Sequence, residues 1–552
     1  MLKKLDMLPV LLLLSICGVV LGQYRVDPLV STNRGLIRGL LSTEGYAKFL
    51  GIPYAVVDNN NPFGPSVPHP GFDGIFEAYE SNACPQMSFE GKTGSPVGTI
   101  DCLTLNVYVP SVATSQHPLP VMVWIHGGYF ILGSGNSVGS PEFLLRNDVI
   151  VVTINFRLGV FGFMCLDHPE ISGNQGLKDQ VLALRWINEN IEAFGGDPTQ
   201  ITVFGESSGG MSNLHLLSSY EPLFQKAIIQ SGPAVSPWVL GEPDNTVPIK
   251  LARGLGFFTE DISEAIDFLS SVDHHKLVKL AHGLKLTNFM TLESTPATLP
   301  CVEKNTQGVE HFITEYPMNI RSTKLRTVQV IFGNSANEMH MGYTLNEVEG
   351  FLDYSLNVIR TVYDLGDTEE EDLDDIKHFY IGDEEAGESI KIEITNFASD
   401  VLFNHPTEKM ADRLLEIGAR SVYRYIFSYS GDRNVIKIRL NVNATGAVRA
   451  DELGYLFDSD ELTGDITPED QIMIDRITML WTNFAKYGNP TPTTSELLPV
   501  KWEPITRTTQ PYLNLDSDLT LAARPFHDRM AFWDIFRKLH RNQHRWNQIS
   551  GM

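Results

Sequence analysis

The chain has 552 residues, 43% of them hydrophobic and 20% charged, which suits a packed core and excludes a disordered chain. Its formal net charge is −25, from 42 Lys and Arg against 67 Asp and Glu. Nucleic acid and anionic membrane are therefore excluded as partners, because both require a positive surface.

The first 22 residues read as a signal peptide. Lys3 and Lys4 give a positive start, Leu8 to Leu14 an apolar stretch interrupted by Pro9, and Val20-Leu21-Gly22 a small-residue cleavage site before Gln23. The expected product is a secreted, extracellular protein. No later segment has the ~20 apolar residues of a membrane span, and the chain ends Ile549-Ser550-Gly551-Met552 without a polybasic patch or retrieval signal. No repeat, low-complexity tract or hinge follows, so residues 23–552 are expected to form one domain.

Four cysteines remain after cleavage. Cys84 and Cys102 enclose a short loop and form the natural disulfide in an oxidising compartment. Cys165 and Cys301 are left unassigned, and are read as free and buried. Asn443-Ala444-Thr445 is the glycosylation sequon, expected to be accessible.

The first ~50 mature residues alternate like antiparallel strands. Val121 to Ile125 and Val149 to Ile154 are short apolar runs, followed by a helical pattern over Leu177 to Ala193 with Ala183, Leu184 and Ile187 on one face. Further strands are expected at Ile201 to Phe204, Ala227 to Ile229 and Val328 to Ile331. The acidic run from Asp367 to Asp375 reads as a solvated face. Pro511 to Leu521 reads as a late strand, and Asp528 to His540 as an amphipathic helix with Met530, Phe532, Trp533 and Phe536 inward. Apolar strands separated by helices predict an α/β protein with a mostly parallel sheet flanked by helices on both faces.

Gly205-Glu206-Ser207-Ser208-Gly209 is the chemical centre of the sequence. Gly-x-Ser-x-Gly arises by chance in roughly one chain in five of this length, so its weight comes from context. A strand runs straight into the motif, and a helix with Leu214, Leu216 and Leu217 follows it. That is the strand–turn–helix arrangement of a nucleophile elbow. The glycine-rich His126-Gly127-Gly128-Tyr129-Phe130 follows another strand. It can aim the N–H groups of Gly128 and Tyr129 at an oxyanion, with that of Ser208 as a third donor.

These segments resemble the type-B carboxylesterases. Phe194-Gly195-Gly196-Asp197-Pro198, followed by Ile201 through Gly209, is similar to their serine signature. Asp101-Cys102-Leu103-Thr104-Leu105-Asn106-Val107-Tyr108 resembles their second signature, with Ile100 where an acidic residue is usual. Asn155-Phe156-Arg157-Leu158-Gly159, Asn174 to Gln180, Gly51 to Ala55 and Arg529 to Trp533 fit as well. The likeness spans nearly the whole mature chain and is strongest to secreted insect carboxylesterases. It implies an α/β-hydrolase fold, an acyl-Ser207 intermediate on apolar carboxylic esters, a small-molecule ester partner, and no cofactor or metal.

The resemblance further implies a Ser-Glu-His order. Gly333-Asn334-Ser335-Ala336-Asn337-Glu338 supplies the acid, Glu338. The base belongs just before Asp451-Glu452-Leu453-Gly454-Tyr455-Leu456-Phe457, and there the residue is Arg449. A guanidinium stays protonated and offers only donors. It cannot take a proton from Ser207 as an imidazole does. Arg449 is instead expected to pair with Glu338. His126, His215 and His340 are nearby in sequence but do not occupy the segment that faces the serine. Tyr129 stands where the family has Gly or Ala, so its side chain must turn away from the site. The Cys84–Cys102 loop lacks the tryptophan of cholinesterases, which disfavours choline esters. Glu206 replaces the glutamine usual in juvenile-hormone esterases and favours a generic carboxylesterase. Two readings follow: an esterase whose turnover Arg449 throws into doubt, and a catalytically dead homologue that binds a ligand or partner.

Overall fold

Residues 28–88, 94–218, 221–236, 239–287, 297–304, 310–344 and 348–544 are described by the computed structural model. The expected signal peptide lies outside them. An 11-stranded sheet organises the chain. Numbered in chain order, its strands are β1 (Leu40–Leu41), β2 (Ala47–Pro53), β3 (Thr104–Val109), β4 (Leu119–Ile125), β5 (Ile150–Ile154), β6 (Gly196–Glu206), β7 (Lys226–Gln230), β8 (Gln329–Ser335), β9 (Ser421–Phe427), β10 (Pro511–Leu515) and β11 (Thr520–Ala523). Across the sheet they lie in the order β11-β10-β9-β8-β7-β6-β4-β5-β3-β2-β1. The run from β5 to β10 is parallel, and the strands at both edges are antiparallel. This is the α/β-hydrolase architecture that the motifs imply.

The central strands are apolar without interruption because helices cover both faces. In β4, Val121, Val123 and Ile125 join one core layer with Ile150, Val152 and Val203. Met122 and Trp124 point the other way, to Phe204, Ile228 and Ile331, under the helix Pro468–Tyr487. Trp124 and Phe204 pack with ring centroids 4.9 Å apart. The expected helix is α1 (Gln175–Asn190), with Ala183, Leu184 and Ile187 buried, and the helix after Ser207 is α2 (Ser208–Ser218). The acidic run opens the helix Glu369–Ile381, whose Leu373 and Ile376 are buried while its first turn carries four carboxylates. Negative charge there is favourable against the helix dipole. The final helix, His527–Leu539, buries Met530, Trp533 and Phe536, with Phe532 partly buried.

Two expectations are corrected. Pro511 to Leu521 is a hairpin rather than one strand: the polar Asp516-Ser517-Asp518 turn breaks it, and β10 pairs antiparallel with β11. Cys165 and Cys301 are disulfide-bonded, across 136 residues of sequence. The packing of Asn174 brings them together, because its side chain accepts from the Cys301 N–H at 2.9 Å and donates to the Cys301 carbonyl at 2.8 Å. Cys84 and Cys102 form the other bond.

Candidate active site

Parallel register places the end of β6 beside β4 on one side and β7 on the other. Gly205 lies opposite Ile125, and Glu206 opposite Gln230. The chain then turns sharply at Ser207, which adopts φ 60°, a conformation few non-glycine residues accept. Its N–H donates to the Gln230 carbonyl at 2.9 Å, fixing the turn against β7. Gly209 is required by proximity: a Cβ there would stand 1.9 Å from the Ile125 carbonyl oxygen. The serine is 8% exposed and sits where the N–H groups of the first turn of α2 have no partner within the helix.

The glycine-rich turn arrives from β4. Gly128 adopts φ 112°, and a Cβ there would meet the Leu132 carbonyl oxygen at 2.2 Å. Tyr129 and Phe130 follow with φ 62° each. The Tyr129 side chain is partly buried against the core and hydrogen-bonds the phenol of Tyr354, on the helix Val348–Val362. The turn reaches the elbow at Gly127, where a Cβ would stand 3.1 Å from the Ser207 Cβ and 2.9 Å from Glu206 Oε2.

Glu338 follows β8 and is fully buried. One carboxylate oxygen accepts from the Ser231 hydroxyl at 2.5 Å and from the Ser335 N–H at 2.8 Å. The other faces Arg449, whose Nη1 donates at 3.3 Å. The loop that carries Arg449 is pinned to this turn. Asn337 N–H donates to the Ala447 carbonyl at 3.1 Å, and Asp451 accepts from the Val448 N–H at 2.7 Å. Arg449 also lies with Nε 3.5 Å from Glu206, and its guanidinium sits 4.0 Å above the Phe403 ring. Its side chain is 12% exposed.

No side-chain hydrogen bond from the described residues reaches the Ser207 hydroxyl, and all fifteen histidines are among those residues. His126 is buried, stacks on Phe156 and contacts the Gly127 carbonyl at 2.8 Å; burial lowers its pKa to about 4. Burial also lowers His340 to about 4 and His215 to about 3. Arg449 thus pairs with Glu338, and among the described residues no histidine hydrogen-bonds the Ser207 hydroxyl.

Beyond the Glu338 pair, the charge network around Arg449 is not marked in the sequence. Glu206 is buried, and desolvation pushes its pKa up to about 8 against the pull of Arg449, with Glu452 and Glu338 adding to the rise. Glu452 is fully buried and pushed up to about 7, chiefly by desolvation. It accepts from Gln230 at 3.1 Å. Burial raises Glu338 as well, and Arg449 and the Ser231 hydrogen bond oppose the rise. Glu452 shows in the sequence only as a member of the segment Asp451 to Phe457, with nothing to mark it as buried. Phe403 has none, since it lies in a π-helical turn, Asp400–Asn404. Such turns gather at functional sites.

A serine on a sharp strand-to-helix turn and a buried glutamate paired with Arg449, both carried on this 11-stranded sheet, define the class as an α/β-hydrolase. The Carboxylesterase family model matches residues 26–533, and the chain belongs to that family. It is 31% identical to the juvenile hormone esterase of Tribolium castaneum over 84% of each chain. It is 32% identical to esterase FE4 of Myzus persicae over 83% of each. Bile salt-activated lipase of Rattus norvegicus is 30% identical, over 95% of this chain and 87% of the lipase. Among solved structures, juvenile hormone esterase from Manduca sexta, with OTFP covalently attached, superposes with a TM-score of 0.80 at 27% identity, covering 93% of this chain and 100% of that one.

Proposed function

We propose that this protein is a secreted carboxylesterase-family hydrolase whose Ser207 site accepts neutral, apolar carboxylic esters, and whose turnover is held down because Arg449 occupies the base position. In this reading Ser207 is the nucleophile, Glu338 the acid, and Gly128, Tyr129 and Ser208 the oxyanion donors. The observation that carries it is the Arg449–Glu338 pair, 3.3 Å between nitrogen and oxygen, at a side chain only 12% exposed. A cation held there cannot collect the serine proton. Loss of a triad histidine costs about 10⁴ to 10⁶ in rate, roughly 5–8 kcal/mol of barrier. Export is supported by the leader at residues 1–22 and by two disulfides. Asn443 is exposed, as a glycosylated residue must be.

Hydrolysis of a small chromogenic ester by the folded protein tests the reading. Turnover at the ordinary enzyme rate of ~1–10³ s⁻¹ would reject it. The burial of Arg449 between two carboxylates favours a second reading, a ligand-binding protein with no acyl transfer at all. Mass spectrometry after incubation with ester separates the two: slow acylation of Ser207 belongs to the first, an unmodified serine to the second.

A further inference from the structure

We propose that the Ser207 pocket binds the carboxylate of an amphipathic monocarboxylic acid, held between Arg449 and the backbone N–H groups of Gly128, Tyr129 and Ser208. This rests on the reading above in one respect, that Arg449 stands at the base position, and it names the ligand class of the same site.

Charge and donor supply decide which ligand fits. A neutral imidazole at residue 449 would leave the negative charge of Glu338 uncompensated, and a carboxylate product would be repelled. Arg449 adds one positive charge in the same place. The carboxylates that face it are Glu338 and Glu206, and the charge of Glu452 acts on both of those. Glu206 and Glu452, pushed up to about 8 and about 7, are partly protonated near neutrality, so the pocket no longer presents a net negative wall. The guanidinium has five N–H donors, and its one hydrogen bond in the described structure is from Nη1 to Glu338, with Nε 3.5 Å from Glu206. Nη2 has no protein partner among the described residues. The side chain retains 12% exposure and lies near enough to Tyr129 for its charge to act on that phenol. Glu206 lies 3.5 Å from its Nε, and the same carboxylate stands 2.9 Å from where a Gly127 Cβ would be, so Arg449 is on the side of the site where the glycine-rich turn enters. Backbone donors there, and the N-terminus of α2, favour an anion. An ester needs only the backbone donors, whereas an acid engages the guanidinium as well, and a charged hydrogen bond is the stronger contact. The Phe403 ring, 4.0 Å under the guanidinium, supplies an apolar surface beside the charge that suits an apolar tail.

Isothermal titration of the full mature chain at pH 7.5 with decanoate and with decanamide, its neutral isostere, tests the proposal. Decanoate is expected to bind at least about tenfold more tightly, the scale of one charge-assisted hydrogen bond. Arg449→Gln, with an unchanged circular dichroism spectrum, is expected to erase that preference. Equal or weaker binding of the acid by the unmodified chain, or an undiminished preference in Arg449→Gln, overturns the proposal. The chromogenic-ester assay stays separate. Fast turnover together with acid preference would reject only the reading of a disabled base. No turnover and no acid preference would reject only carboxylate binding.

Discussion

Arg449→His should convert this chain into an efficient esterase. In the proposed reading Glu338 is the triad acid, and its carboxylate is already fixed. Ser231 and Ser335 hold one carboxylate oxygen at 2.5 and 2.8 Å, and the other is directed at residue 449. An imidazole at 449 would donate Nδ1–H to that second oxygen and turn Nε2 toward Ser207, the geometry a serine hydrolase requires. The elbow and oxyanion donors are backbone features and need not change. The full benefit of a triad histidine is about 10⁴ to 10⁶. The imidazole is smaller than the guanidinium it replaces, and Glu206 loses its cation, so the expected gain in kcat/KM is about 10³, or roughly 4 kcal/mol. The assay is initial-rate hydrolysis of a chromogenic ester by both proteins, from pH 5 to 9. Activity of the variant should rise with pH as the imidazole loses its proton, near the usual histidine value of about 6.5. Adding Glu338→Gln should remove most of the gain. A folded Arg449→His protein no faster than the unmodified chain would refute the reasoning. So would a gain that survives loss of Glu338 undiminished.

Other consequences follow from burial and charge. Glu206 has its folded pKa raised above the ordinary 4.5 to about 8. Its contribution to stability is therefore complete below about 4.5 and is lost as pH rises through about 8, at no more than about 1.4 kcal/mol per pH unit. Melting temperature should fall over that window, and Glu206→Gln should flatten the fall; an unchanged slope in the variant would exclude Glu206 as its source. Arg157 and Asp179 form a bidentate pair with side chains 1% and 0% exposed. Asp179→Asn should cost about 3–5 kcal/mol in urea denaturation, because it strands a buried guanidinium; a loss below about 1 kcal/mol, the scale of an exposed pair, would contradict this. The two disulfides close loops with separations of 18 and 136 residues. Chain entropy then assigns about 3 kcal/mol to Cys84–Cys102 and about 5 kcal/mol to Cys165–Cys301. Paired Cys→Ser variants should show that order in thermal denaturation.

The parts of the fold that can be read from sequence are those whose cause is local. β4 to β8 are buried on both faces, so each shows as a short apolar run, and Ser207 announces itself through the glycines that the sharp turn demands. The hairpin at Pro511 to Ala523 passes for one strand because apolar residues stand on both sides of a three-residue polar turn that a strand pattern tolerates. Cys165–Cys301 is hidden because its partners meet only through the packing of Asn174. The Arg449 network is half legible. The Glu338 pair follows from the motifs, whereas Glu206 and Phe403 come from two other segments and meet Arg449 only in the folded chain, and Glu452, on the Arg449 loop itself, turns to Gln230.

The persistence of the elbow and of Glu338 beside Arg449 has a structural cause. Ser207 is fixed by the backbone of β6 and β7, and the oxyanion donors are N–H groups that survive many side-chain changes. Glu338 satisfies the buried Ser231 hydroxyl and the Ser335 N–H, so its loss would leave donors unpaired inside the protein. The loop carrying residue 449 is held by Asn337 and Asp451 rather than by residue 449 itself. In the proposed reading, the side chain at residue 449 is thus the part of the machinery that the fold leaves free to vary. It can change to arginine while the elbow, the acid and the sheet remain, and Arg449 then gains its place by pairing with carboxylates the fold already buries. An intact Gly-x-Ser-x-Gly elbow in this family is accordingly a statement about architecture, and activation of the serine has to be read separately, at the residue that faces it.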